Sequence, residues 1–75
     1  MQTPIQYSVV LEPTATGYSV YVPDLPGCVS VGATREEALE MITEAIELHI
    51  ELLTESGDAI PPSGTLVDQV AVRAA

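Results

Sequence analysis

A chain of 75 residues has room for one domain, near the lower limit at which a single hydrophobic core suffices without staples, and its 47% apolar content sets it apart from disordered sequences. Eleven acids against two arginines give a net charge of −9, which disfavours binding to nucleic-acid phosphates but suits a basic protein partner. The lone Cys28 excludes an internal disulfide or a multi-cysteine metal site. With no leader-like N-terminus and no apolar run near the ~20 residues of a membrane span, the expected location is cytoplasmic.

In chain order, Ile5–Leu11 alternates Ile5, Tyr7, Val9 and Leu11 against Gln6, Ser8 and Val10, the pattern of a half-buried strand. Glu12–Gly17 is a turn-rich connection. Tyr18–Val22 alternates again, with Tyr18, Val20 and Val22 on one face, so the two strands are expected to form an antiparallel hairpin. Pro23, Asp24, Pro26 and Gly27 then stop the second strand and reverse the chain, two fixed φ angles being followed by a free one. Cys28–Val31 is a short third strand, closed by Gly32.

The stretch Thr34–Ser56 is the scaffold of the chain. Thr34 and Glu37 form a capping-box pair, in which each side chain serves the other residue's backbone N–H. Glu36 and Glu37 place negative charge in the first turn, and Gly57 provides the stop. Projected at about 100° per residue, the acids Glu40, Glu44, Glu47, Glu51 and Glu55 gather on one side. The apolar residues spread over an arc wider than the ~100° needed to sit on one sheet. That excess predicts a contact beyond the helix's own sheet, and a homo-oligomer, in the simplest case a dimer. Asp58–Gly64 is an extended connector around Pro61 and Pro62. Leu66–Val72 reads as a fourth strand of mixed faces, at an edge or exchanged with another subunit.

The residue types that carry chemistry point away from catalysis. The helix acids lie three or four residues apart, each pair costing ~0.2–0.5 kcal/mol of helix stability; they form either a solvated face or a surface for a basic partner. His49 falls in the apolar arc without an orienting carboxylate or a second histidine, and reads as a core or interface residue. Asp24 is expected to bond the backbone of its own turn. Cys28 reads as a small buried hydrophobe. No triad, phosphate loop or metal-ligand cluster is present, so neither an enzyme nor a cofactor or metal site is expected.

The order β-β-β-α-β describes a two-layer α+β domain spanning residues 1–75, an antiparallel sheet with one long helix on one face. At this point four separated motifs line up: Tyr18–Cys28 (YSVYVPDLPGC), Gly32–Ala38 (GATREEA), Glu44-Ala45-Ile46 in mid-helix, and Ile60-Pro61 after it. In this order and spacing they resemble the HicB-like antitoxin family. The resemblance implies a partly degraded RNase H-like fold. It also implies a partner: HicA, a small basic toxin that cleaves mRNA with a histidine and that the antitoxin neutralises by occlusion. The chain departs from full-length relatives, because Leu66–Ala75 is too short for their C-terminal DNA-binding segment, and autorepression is not expected of it. The alternative is a homo-oligomeric structural or small-ligand-binding domain without a toxin. A neighbouring gene for a small basic chain with a Gly-[Ser/Thr]-His motif would favour the antitoxin.

Overall fold

A computed structural model of the chain describes residues 5–74. Residues 1–4, part of the N-terminal stretch weighed for a leader, and Ala75 lie outside the described residues. Three strands, β1 (Val10–Pro13), β2 (Tyr18–Tyr21) and β3 (Val29–Gly32), precede one helix, α1 (Arg35–Glu55). Both strand pairs are antiparallel and the sheet order is β1-β2-β3, each strand lying beside its sequence neighbour. This is the two-layer α+β arrangement, with the helix on one face of the sheet.

The alternation along β2 decides which face the helix covers. Val20 and Val22 are buried and Tyr18 packs against them, while Tyr21 points to the uncovered face with Val29 and Val31 of β3. Tyr7, Val9 and Leu11 line the inner face beside them. From above, Ala38 and Ile42 of α1 complete the core, flanked by Ala45 and Ile46. These helix positions recur at the three- and four-residue spacing of one helical stripe.

The strand boundaries differ from the sequence pattern: β1 ends at Pro13 rather than Leu11, β2 at Tyr21 rather than Val22 and β3 at Gly32 rather than Val31, and two of the starts move as well. β1 begins at Val10 rather than Ile5, although its inward residues start earlier. Val22 N–H bonds to Cys28 C=O at 3.1 Å, so the β2 amide on the other side that would continue the ladder to β1 belongs to Pro23. Proline has no N–H, and the pairing ends there. β3 begins one residue late because Cys28 closes the preceding turn, donating to Leu25 C=O at 3.0 Å.

The helix ends are fixed by local bonds. Thr34 Oγ1 accepts from Glu37 N–H at 3.1 Å, serving one of the orphan amides of the first turn. At the other end Gly57 takes φ 75°. Its N–H reaches Thr54 C=O at 3.2 Å, and Asp58 N–H reaches Leu53 C=O at 2.9 Å. This pair of bonds is the Schellman arrangement, which needs a left-handed residue at that position.

The fourth strand expected at Leu66–Val72 is not formed. Residues 58–74 carry no regular structure, and Leu66, Val67, Val70 and Val72 are exposed. A segment with apolar side chains on both faces needs a neighbour for its backbone and its side chains alike, and the chain's own sheet supplies neither at that place.

Candidate interaction surface

Three features remain once the core is accounted for: a stapled turn, an acidic helix face, and an apolar helix flank.

The turn Val22–Cys28 is two successive reversals. Leu25 N–H donates to Val22 C=O at 3.1 Å across Pro23 and Asp24, and Cys28 N–H donates to Leu25 C=O across Pro26 and Gly27. With proline second and a glycine at φ 84° third, the latter is a type II turn. The two reversals drive Leu25 inward, where it is completely buried. The turn pattern of the sequence does not mark Leu25 as core; an apolar residue held between two prolines is the signal that does.

Asp24 does not bond its own turn. Its Oδ1 accepts from the Thr65 hydroxyl at 2.6 Å and its Oδ2 from Thr65 N–H at 3.0 Å. The local bond expected from the sequence is displaced because the connector after α1 folds back across the turn. There it presents a hydroxyl and an amide side by side, which match the two carboxylate oxygens. The Thr65 hydroxyl first, and its N–H second, hold the Asp24 carboxyl below the ordinary aspartate value. The same connector is tied to the N-terminal segment. Tyr7 Oη donates to Pro61 C=O at 2.6 Å, Ser8 Oγ to Thr65 C=O at 3.0 Å, and Ser63 Oγ to Gln6 C=O. No local sequence pattern announces these contacts, which span more than 40 residues.

On α1, Glu40, Glu44, Glu47, Glu51 and Glu55 are all exposed, as are Glu36 and Glu37 in the first turn. The chain supplies only Arg35 and Arg73 as counter-charges. The helix therefore presents a continuous negative face. Its neighbouring flank carries Met41, Ala45, Leu48 and Leu52 at alternating four- and three-residue steps, with Leu48 and Leu52 more than half exposed. Between this flank and the start of β3 runs a groove of about 160 Å³, lined by Gly27, Cys28, Val29, Ala45, Leu48, His49 and Leu52.

His49 and Cys28, on different elements, are brought to the same groove. Burial pushes the Cys28 thiol up, the opposite of what an activated nucleophile requires. Among the described residues no group of three or more His, Cys, Asp and Glu side chains is arranged to hold a metal ion. No described helix is long and apolar enough to cross a membrane. What the surface offers is charge and apolar area, the material of protein contacts.

The sequence as a whole matches one family, described as the HicB_like antitoxin of bacterial toxin-antitoxin systems, over residues 7–74. The chain belongs to the HicB-like antitoxin family. Among its relatives, an uncharacterized 14.9 kDa protein of Haemophilus phage HP1 is 42% identical over 60 residues, 80% of this chain and 45% of that protein. A UPF0150 protein of Synechocystis is 42% identical over 67 residues, 88% of this chain and 85% of that protein. Antitoxin HicB 1 of Photorhabdus laumondii is 43% identical over 61 residues, 80% of this chain but 39% of that protein. The chain thus spans under half the length of the phage protein and of that HicB antitoxin, and most of the length of the UPF0150 relative.

Proposed function

We propose that this HicB-like chain neutralises a small basic HicA-type mRNA-cleaving toxin by covering it. The reading rests on family membership, and the observation that carries it is the exposed acidic face of α1. An inhibitor of this kind needs no chemistry of its own. It has to occupy the surface with which a basic nuclease grips RNA, and a row of carboxylates mimics the charge of the phosphates displaced. Glu40, Glu44, Glu47, Glu51 and Glu55 are the partner-binding residues in this reading, with the apolar flank beside them supplying the contacts that slow dissociation. The role is non-catalytic, which agrees with a thiol held protonated and a histidine set among apolar neighbours.

The test is co-expression with the product of the adjacent gene, read as growth rescue, followed by association kinetics in varied salt. Exposed charges are screened over ~10 Å at 0.1 M salt, so association should slow as salt rises. Reversing Glu44, Glu47 and Glu51 to lysine should cut the association rate several-fold with the fold intact. Binding indifferent to salt and to these substitutions would make the acidic face a solvated surface only. Failure to bind any HicA-like protein of the same genome would leave the homo-oligomeric reading without a toxin.

A further inference from the structure

The edge of the sheet beside the groove carries unmet backbone groups. β3 pairs with β2 on one side, and among the described residues no strand pairs with the other. Val22 N–H donates to Cys28 C=O, so residues 22 and 28 are a bonded pair of this antiparallel ladder. Bonded and unbonded pairs alternate along such a ladder. Val20 with Ser30 and Tyr18 with Gly32 are therefore bonded pairs, while Tyr21 with Val29 and Ser19 with Val31 are not. The N–H and C=O groups of Val29 and Val31 point away from β2, to the free edge.

The two faces beside this edge differ in chemistry. The side chains of Val29 and Val31 are 65% and 67% exposed on the uncovered face, next to Tyr21. On the other face α1 lies over β3 more than over β2, and Leu48 and Leu52 of its flank wall the groove. Glu44 and Glu51 sit within one turn of Leu48, and Glu55 within one turn of Leu52, so exposed carboxylates border that wall. The groove lining itself holds no acid.

We propose that the free edge of β3 takes a strand of a basic protein partner, in which β-branched or aromatic residues alternate with lysine or arginine. A strand added there meets both chemistries at once, because its side chains point to alternate faces. One set lies beside Val29 and Val31. The other faces the flank, where long cationic side chains lay their stems over Leu48 and Leu52 and bring their charges to Glu44, Glu51 and Glu55. The chain's own segment Leu66–Val72 does not have this pattern. Its one charged residue is Asp68, which shares a parity with Leu66, Val70 and Val72 and would turn an acid towards the glutamates. The partner is the basic toxin of the proposed function, on which this assignment rests; what is new is backbone pairing at β3.

Proline at position 31 tests the edge. Val31 N–H faces outward, so Val31→Pro removes no bond of the sheet itself, and Ser30 before it is already extended. Its ring and missing N–H oppose a strand on that side. Val31→Ala removes the side chain and keeps the N–H. With the adjacent-gene toxin as partner, and circular dichroism to establish each fold, Val31→Pro should speed dissociation by about tenfold or more, with Val31→Ala close to wild type. Amide hydrogen exchange at Val29 and Val31 of the wild type should slow in the complex, a readout that does not depend on the proline variant folding. A synthetic peptide alternating lysine with valine is a second probe, and should slow the same amides, unlike a peptide of equal composition in two blocks. A toxin complex with exchange at Val29 and Val31 unchanged, or one that folded Val31→Pro binds equally well, overturns the edge and leaves toxin neutralisation standing. A chain that binds no toxin but protects these amides with the alternating peptide keeps the edge and loses the toxin. Protection by neither partner overturns both.

Discussion

Replacing Leu25 by alanine probes the turn and the core at once. Leu25 is completely buried, and its backbone is fixed on both sides by the bonds from Leu25 N–H to Val22 and from Cys28 N–H to Leu25. Leu→Ala removes three carbons, worth roughly 2.4 kcal/mol at ~0.8 kcal/mol for each buried methylene-sized group. To this is added the energy of the cavity left behind, which brings measured cases up to about 5 kcal/mol where the surroundings do not collapse. Two turns closed by hydrogen bonds and two prolines leave little freedom to collapse, so about 3–5 kcal/mol is expected. A chain of this length has roughly 4–11 kcal/mol in all, so the variant would lose from about a quarter of its stability to all of it. Urea denaturation followed by far-ultraviolet circular dichroism measures it. With a slope of about 1 kcal/mol per molar urea, the midpoint should fall by roughly 3 M or more. Pro26→Ala in the same turn is the control, because Pro26 is exposed and its removal acts mainly through the unfolded chain, at about 0.4–1 kcal/mol. Equal midpoints for Leu25→Ala and wild type would show that Leu25 does not anchor the core.

Thr34→Ala removes the side-chain acceptor of Glu37 N–H and should destabilise by about 0.5–2 kcal/mol, whereas Glu40→Lys should be neutral or slightly stabilising because it relieves repulsion with Glu36, Glu37 and Glu44; denaturant midpoints of both report this, and an unmoved Thr34→Ala midpoint would place the helix start elsewhere. Asp24 has a lowered pKa in the folded chain, so its contribution is complete above the unfolded value of about 3.9 and is lost as pH falls through the folded value. The gap in stability between wild type and Asp24→Asn should accordingly close between about pH 5 and the folded-state value; a gap constant from neutral to acid pH would mean that the Thr65 bonds do not depend on the charge. Gly32→Ala should destabilise clearly, since a Cβ there would lie 2.3 Å from the Ala38 amide nitrogen and 2.7 Å from Ala38 Cα, both backbone atoms that cannot swing aside; a thermal midpoint equal to wild type would show that β3 and the helix start can move apart.

Much of this arrangement is legible in the sequence because it is local. The inward faces of Tyr7, Val9, Leu11, Tyr18, Val20 and Val22 follow from period-two alternation, and the helix limits from Thr34 and Gly57. What escapes is long-range. Asp24 reads as a turn residue because its partner Thr65 lies 41 residues away in a connector with no periodicity. Leu66–Val72 reads as a strand because its composition is that of one, yet a strand also needs a neighbour, and composition does not say which chain supplies it. The acidic face and the wide apolar arc of α1 were visible as patterns. The groove beside them was not, since it depends on how closely Cys28 and Val29 approach the helix.

The bonds that tie the connector to the rest of the chain also bear on the order of folding events. Each strand pairs with its sequence neighbour and the helix follows directly, so the loops closed in building the sheet are short and their entropy small. Tyr7 with Pro61, Ser8 with Thr65 and Asp24 with Thr65 close spans of 54, 57 and 41 residues. Closures this long cost the most chain entropy and are expected to form last, after the barrier. Contacts made after the barrier leave the folding rate almost untouched and retard unfolding instead. The connector is therefore a latch: it sets how long the folded chain lasts, while the hairpins and the helix set how fast it forms.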